Sequence, residues 1–140
     1  MMTVYVVGTD GSDTAAKAGE RTAELALATG ASIHVVCAFT RRGATTVGLG
    51  SDVFTISEIA EAEQIAEQQA AIYRAAGITA TVSACEGKPA AAILEEAERV
   101  EADMIVVGNR RMQGVQRVLG AVANDVAHHA PCDVLVVKTV

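Results

Sequence analysis

The hydrophobic pattern along the chain alternates between short apolar runs and apolar residues at helical spacing. Five runs have the length of strands: Val4–Gly8, Ile33–Phe39, Ile78–Ala84, Met104–Val107 and Val134–Val140. The segments between them carry apolar residues three or four positions apart, which is typical of amphipathic helices. This alternation predicts one α/β domain over residues 1–140, a Rossmann-like open parallel sheet of five strands with helices on both faces.

The first helix is predicted between a good N-cap residue, Ser12, and the pair Thr29-Gly30. Residues at helical spacing predict its buried face: Ala16, Gly19, Ala23 and Leu27.

A long loop is predicted over Thr40–Asp52, which contains three glycines and no periodicity. The capping box Thr55-Ile56-Ser57-Glu58 is predicted to open the second helix, and Gly77 is predicted to end it. The buried stripe of this helix is predicted to contain Ile59, Ala62, Ala66, Ala70 and Tyr73.

Pro89 suits the first position of the third helix. Helical spacing predicts an apolar face on this helix at Ile93, Leu94, Ala97 and Val100. The other sides are predicted to hold solvated carboxylates at Glu95, Glu96 and Glu98. A fourth helix is predicted through Val122, Val126 and His129, up to Pro131.

The first and fourth strands are continuously apolar, so they are expected at the centre of the sheet. If they are adjacent, the strand order reverses between them and creates a crevice of the kind that binds ligands. Glycine-bearing turns follow these same two strands, at Gly8–Gly11 and Gly108–Leu119. The pattern therefore predicts a ligand site at this crevice.

Charge and hydropathy exclude two classes of partner. The chain has 11 basic and 17 acidic residues, 3% aromatics and no Trp, which disfavours binding to nucleic acid. Mean hydropathy is +0.31. No apolar run approaches the ~18 residues of a membrane span, however, and no basic stretch precedes an apolar one at the N-terminus. We expect a cytoplasmic protein without a membrane partner.

Cysteine and histidine spacing gives no strong sign of a metal or of catalysis. Three cysteines at wide spacing, without a CxxC pair, form no disulfide framework. His128, His129 and Cys132 are close in sequence but lack an obvious fourth zinc ligand. No nucleophile–base pair is recognisable, so no catalytic residue is assigned, and His34 within a strand is expected to be structural.

The segment Gly108–Gly120 combines glycines with arginines after a buried strand. Arg110, Arg111 and Arg117 form the densest positive charge in an acidic chain, and their forked donors suit phosphate oxygens. Backbone N–H groups at a helix N-terminus add to this chemistry. The alternative is an ordinary loop with solvated arginines. Neither GxxxxGK[ST] nor GxGxxG is present, so any nucleotide needs a different cradle.

Three segments carry a resemblance to a known family: Val6–Ser12, Met104–Arg110 and Asn124–Val137. Together they resemble the universal stress protein family over essentially the whole chain. The resemblance implies the strand order 3-2-1-4-5 and a dimer. It also implies ATP or another adenine nucleotide as ligand, although a second branch of the family binds no ATP.

The family's nucleotide motif is glycine, two residues, glycine, nine residues, then glycine with Ser or Thr. Gly108 and Gly120 match its first and last glycines, but Arg111 replaces the middle one, with eight residues before Gly120. Ala121 replaces the hydroxyl residue, which removes one donor to phosphate. Gly114 could restore freedom in the shortened loop.

Other positions acquire roles through the same resemblance. Asp10 matches an acidic residue that contacts adenosine, with a turn residue as the alternative, and Ala38 matches a residue whose backbone meets the adenine edge. Mg²⁺ is possible, with Asp10 and Asp13 as candidate ligands. The predicted nucleotide-binding residues are Gly8, Thr9, Asp10, Ala38, Val107, Gly108, Arg110, Arg111, Gly114, Gly120, Ala121 and Val122.

The last strand is predicted at a sheet edge, where an unpaired apolar strand promotes aggregation. Pairing between two copies through Val134, Leu135, Val136 and Val137 would remove this liability, and the resemblance implies the same dimer. The alternative is that Lys138 and the short strand protect the edge.

The favoured function is an adenine-nucleotide-binding (ATP, AMP or cyclic AMP) homodimer that regulates a stress response, with the loop Thr40–Asp52 closing over the nucleotide. A ligand-free dimeric interaction module of the same family and a slow ATPase remain the alternatives.

Overall fold

The computed structural model describes residues 3–40, 49–109 and 119–139, with the backbone alone at 49–57. The elements alternate along the chain: β1 (Val4–Gly8), α1 (Asp13–Thr29), β2 (Ser32–Phe39), α2 (Leu49–Ala75), β3 (Ala80–Glu86), α3 (Pro89–Arg99), β4 (Met104–Asn109), α4 (Ala121–His129) and β5 (Asp133–Lys138). The strands form one parallel sheet in the order β3-β2-β1-β4-β5. This confirms the predicted order and the central position of β1 and β4.

Two layers of helices cover the sheet because successive strand residues point to opposite faces. Tyr5 and Val7 of β1 pack with α1 and α2, whereas Val6 packs with α3 and α4. Val6, Val35 and Val106 are completely buried. Within the described ranges, no helix is both long and apolar enough to cross a bilayer.

The buried face of α1 lies one position away from the prediction. Ala18, Gly19, Thr22 and Ala26 are buried, whereas Ala16 and Leu27 are exposed. Gly19 sets this face, because a Cβ there would lie 2.8 Å from the Tyr73 hydroxyl of α2. The Thr22 hydroxyl donates to the Ala18 carbonyl at 2.7 Å, so a polar side chain is buried at low cost.

The start of α2 corrects the predicted loop. The helix begins at Leu49, so the last four positions of Thr40–Asp52 are helical and the Thr55–Glu58 box lies inside the helix. A Ser or Thr within a helix can turn its hydroxyl back to a carbonyl one turn earlier, so a capping box does not oblige the helix to start there. Residues 41–48 of the predicted loop lie outside the described residues.

The other end of α2 follows the prediction closely. Gly77 is left-handed, with φ of 88°, and the Ile78 N–H donates to the Tyr73 carbonyl at 3.0 Å. This bond closes the helix in a Schellman-type turn, and it explains why β3 begins at Ala80 rather than Ile78. The predicted stripe is confirmed, since Ala62, Ala66, Ala70 and Tyr73 are buried and Ile59 is half-buried.

The ends of two further strands also differ from the prediction. β4 extends two residues beyond Val107, because Gly108 and Asn109 continue to pair with β5. β5 begins at Asp133 and ends at Lys138, because its pairing with β4 is complete there.

Glu96 of α3 is buried, which corrects the prediction that it is solvated. Its Oε1 lies 2.9 Å from Nε2 of the buried His34, and Arg99 donates to both carboxylate oxygens at 2.8 Å. The other ring nitrogen of His34 lies 2.7 Å from the Thr81 hydroxyl. This polar cluster ties α3 to β2 and β3. The hydrogen bonds from Arg99, aided by Ser83 and His34, lower the pKa of Glu96 from its ordinary value of 4.5 to about 2.

We predict that Glu96→Gln destabilises the fold by about 2 kcal/mol at pH 7, because a buried charge-assisted hydrogen-bond set is lost. The lowered pKa means that the native state of the wild type favours the carboxylate. Its stabilisation is therefore complete above pH 4.5 and is lost as the pH falls from 4.5 toward 2. Urea unfolding across this pH range measures both effects.

The matched control is Glu98→Gln, which removes an exposed carboxylate from the same helix. We expect this variant to stay within about 0.5 kcal/mol of the wild type and to keep its acid dependence. Identical acid dependence in the wild type and Glu96→Gln would contradict the assignment.

Candidate functional site

A cavity opens where β1 and β4 stop pairing with each other. Their last paired residues are Val7 and Val106. Beyond this point β1 continues along β2, where the Thr9 N–H donates to the Val36 carbonyl at 2.9 Å. β4 continues along β5 as far as Asn109. The two strands therefore diverge, and a cavity of about 300 Å³ lies at their carboxyl ends, where the crevice is predicted.

Nine of the twelve predicted nucleotide-binding residues line this cavity. They are Gly8, Thr9, Asp10, Ala38, Val107, Gly108, Gly120, Ala121 and Val122. The other three, Arg110, Arg111 and Gly114, lie outside the described residues, as does Arg117.

The turn between β1 and α1 forms one rim of the cavity through side-chain-to-backbone hydrogen bonds. The Thr9 hydroxyl accepts from the Gly11 N–H at 3.1 Å, and Asp10 Oδ1 accepts from the Ser12 N–H at 2.9 Å. Gly11 has φ of 81°, which a side chain would strain. Asp10 therefore has the turn geometry of the alternative interpretation, and it is also exposed at the rim of the cavity.

Three helices begin at the cavity, and their first turns differ chemically. The Ser12 hydroxyl caps α1 by accepting from the Ala15 N–H at 3.2 Å. α3 begins with Pro89, which has no N–H. α4 follows Gly120, which has no side chain to serve as a cap.

The N-terminus of α4 is consequently the strongest candidate for binding an anion. The first intrahelical bond runs from the Asn124 N–H to the Gly120 carbonyl at 2.9 Å. The N–H groups of Ala121, Val122 and Ala123 precede it, have no partner within the helix, and belong to residues that line the cavity. Together with the helix dipole they favour a phosphate or carboxylate.

The wall on the α3 side of the cavity is apolar. Val36, Ala38 and Val107 lie on the sheet face that α3 and α4 cover, and Ile93 of α3 faces them across the cavity. A Cβ at Gly8 would lie 2.6 Å from the Ile93 Cδ1, so the absent side chain allows α3 this close approach. This wall suits a flat, weakly polar group such as an aromatic base.

Gly108 has a packing role that the motif does not reveal. A Cβ there would meet Thr139 at 3.0 Å and Ala18 at 3.4 Å, on the side of the sheet that α1 covers. Glycine at this position therefore lets α1 and the end of the chain pack closely against β4.

Eight cavity residues were missed by the sequence reasoning, although signals existed for two of them. Val36 lies two positions before Ala38 in β2, so strand periodicity places both on one face. Asn109 directly follows Gly108 and could have been identified as a side chain at the crevice. Pro89 and Ile93 belong to α3, which follows the edge strand β3. The sequence of α3 contains no motif that indicates a ligand site. The remaining missed residues come from helix starts: Ser12, Thr14, Ala15 and Ala123.

Metal and thiol chemistry receive little support from the described residues. Within the described ranges no three His, Cys, Asp or Glu side chains converge on a possible metal position. Asp13, a candidate Mg²⁺ ligand, is exposed in the first turn of α1. Burial raises the pKa of the Cys37, Cys85 and Cys132 thiols, so they are protonated and weakly nucleophilic at neutral pH.

A serine–histidine contact, absent from the sequence reasoning, lies outside the cavity. The Ser83 hydroxyl is 3.1 Å from Nε2 of His34. The same nitrogen also faces Glu96, and neither Ser83 nor His34 lines the cavity. The geometry agrees with the expected structural role of His34.

The sequence is similar to known proteins over nearly its whole length. The family model for the universal stress protein family matches residues 1–138. A universal stress protein of Methanocaldococcus jannaschii is 32% identical over 138 residues, which cover 95% of this chain and 80% of that protein.

Two similar solved structures are complexes with adenine nucleotides. A universal stress protein in complex with cAMP is 29% identical with a TM-score of 0.69, over 99% of this chain and 98% of that one. The universal stress protein of Archaeoglobus fulgidus in complex with dAMP is 24% identical with a TM-score of 0.63, over 99% and 98% of the two chains, and shows the shared fold. The match to the family model over nearly the whole sequence shows that this chain belongs to the universal stress protein family.

Proposed function

We propose that this protein binds an adenine nucleotide in the cavity between β1 and β4, and that it acts as a homodimeric regulator of a stress response in the cytoplasm. The observation that carries the proposal is the uncapped N-terminus of α4 at one end of a cavity with an apolar wall. The cAMP complex of a 29% identical relative supports it.

The chemistry of the cavity supports one orientation of the proposed nucleotide. The phosphate lies at Ala121 and Val122, where helix N–H groups and the dipole favour negative charge. The base lies against Val36, Ala38 and Val107. The cavity volume of about 300 Å³ is within the range of small-molecule sites.

Asp10 is placed to accept a hydrogen bond from a ribose hydroxyl, since its carboxylate is exposed at the rim while Oδ1 also holds the turn. Of the two candidate Mg²⁺ ligands, Asp10 lines the cavity and Asp13 does not, so a Mg²⁺ ion that accompanies the nucleotide would be held by phosphate oxygens together with Asp10. The ion would supply charge neutralisation at the phosphates.

We predict that AMP, cAMP or ATP at 100 times its Kd stabilises the protein by about 2.7 kcal/mol and raises Tm by roughly 5–10 °C. CMP, whose base is smaller, should give little shift. Asp10→Asn keeps an oxygen for the Ser12 N–H but loses the charge, so we expect about tenfold weaker binding. Scanning fluorimetry and titration calorimetry measure these effects.

The matched control is Asp125→Asn, which removes an exposed carboxylate from α4 and should leave Kd unchanged. No Tm shift with any adenine nucleotide at millimolar concentration would reject the proposed ligand and favour the ligand-free module.

We predict that Ala121→Ser tightens AMP binding by about 2- to 10-fold, because a hydroxyl donor contributes about 0.5–1.5 kcal/mol at the phosphate. Ala127→Ser adds the same hydroxyl to an exposed position farther along α4 and should leave the affinity unchanged. Equal Kd values for Ala121→Ser and the wild type would place the phosphate elsewhere.

The proposed dimer uses β5, which is an edge strand whose Val134–Val137 segment is only half-buried. Pairing with β5 of a second copy would satisfy its outer hydrogen-bonding groups. We predict by light scattering a mass about twice the chain mass of 14.4 kDa, and a single-chain mass for Val137→Lys.

Val82→Lys is the control for this experiment, since Val82 is a half-buried valine of the opposite edge strand β3. It should remain dimeric, and circular dichroism should show that both variants are folded. A single-chain wild-type mass at all concentrations would refute the dimer.

A further inference from the structure

The side chain of Asn109 joins the last residue of β4 to the residue that precedes α4. Its Oδ1 accepts a hydrogen bond from the Gly120 N–H at 3.0 Å, across a separation of 11 residues in sequence. Asn109 is 3% exposed and lines the cavity. The contact is therefore a part-buried hydrogen bond between the sheet and the start of the helix.

Asn109 belongs to the sheet. It pairs with Lys138 of β5 as the final pair of a ladder of six. Gly120 lies outside the sheet, as the N-cap residue of α4, and has an extended backbone with φ of −64° and ψ of 164°. The hydrogen bond consequently sets where the first turn of α4 lies relative to the sheet.

The bond also decides which N–H groups of α4 stay available. Asn109 binds the N–H of Gly120, the N-cap residue, whereas a typical capping side chain binds an N–H one turn farther in, as Ser12 does on Ala15. Among the described residues no side chain caps α4, so the N–H groups of Ala121, Val122 and Ala123 are available to a ligand in this part of the structure. Their interaction with an anion falls off over a single helical turn, so a small displacement of this turn weakens it.

We propose that Asn109 is a positioning residue for the phosphate end of the nucleotide: it holds the N-terminus of α4 where its N–H groups meet the phosphate. This inference rests on the proposed function. Asn109 acts through Gly120 on the phosphate contacts and leaves the contacts of the base at Val36 and Ala38 unchanged.

The test compares the affinities of adenosine and AMP, whose ratio isolates the contribution of the phosphate. Titration calorimetry is performed on the wild type, Asn109→Ala and Asn109→Ser, which both shorten the side chain. We expect wild-type AMP to bind at least tenfold more tightly than adenosine. Each variant should reduce this ratio at least fivefold while the Kd of adenosine stays within twofold.

Amide hydrogen exchange supplies an independent readout at Gly120. Loss of the Oδ1 acceptor should speed exchange of the Gly120 N–H in both variants. Asn124→Ala is the matched control, because it truncates an exposed asparagine of α4. It should preserve both the affinity ratio and the exchange rate, and if one Asn109 variant fails to fold the other serves alone.

The outcomes separate this inference from the proposed function. If the wild type binds AMP but the Asn109 variants keep its affinity ratio, or lose adenosine and AMP affinity equally, Asn109 is not a positioning residue and the nucleotide site stands. An unchanged Gly120 exchange rate in the variants also overturns the inference. If the wild type binds neither ligand, the proposed function fails and the role of Asn109 fails with it.

Discussion

Three residue pairs join β1 to β4 in the centre of the sheet, and the last of them is Val7 with Val106. Beyond these pairs each strand follows its outer neighbour, because β1 continues to pair with β2 and β4 continues to pair with β5. The backbone must therefore separate at this point. The cavity is a direct result of strand order, and its existence does not depend on any particular side chain.

The two ends of the cavity are stabilised by different kinds of interaction. The apolar end is held by α3, whose position depends on Ile93 packing over Gly8 and on the cluster of His34, Glu96 and Arg99 one turn farther along. Among the described residues, the polar end is formed by the start of α4 and the buried carboxamide of Asn109. The cluster around the buried Glu96 supports the apolar wall of the cavity. The neutral side chain of Asn109 supports the start of α4, where the N–H donors lie.

The sequence was sufficient for the fold because the pattern of apolar residues records which faces are buried. To predict the strand order, the family resemblance was needed in addition to the hydrophobic pattern. The predicted buried face of α1 is displaced by one position from the observed one. Several Ala and Gly residues in α1 are small enough for a close contact with another helix, and the sequence does not show which of them makes that contact. Glu96 was predicted in solvent because its partner His34 is 62 residues away in sequence, and a pairing across that distance leaves no local pattern. For the site, glycine-bearing turns identified residues on β1 and β4, whereas Ile93 on α3 could only be found in three dimensions.

The approach of Ile93 to Gly8 links two positions that are far apart in the chain. The terminal methyl group of Ile93 occupies the volume that a side chain at position 8 would need. A methyl group gained at position 8 would force the end of the Ile93 side chain into another rotamer, or would have to be accompanied by a smaller residue at position 93. Substitutions at these two positions are therefore expected to be coupled, because both side chains draw on the same volume in the wall of the cavity.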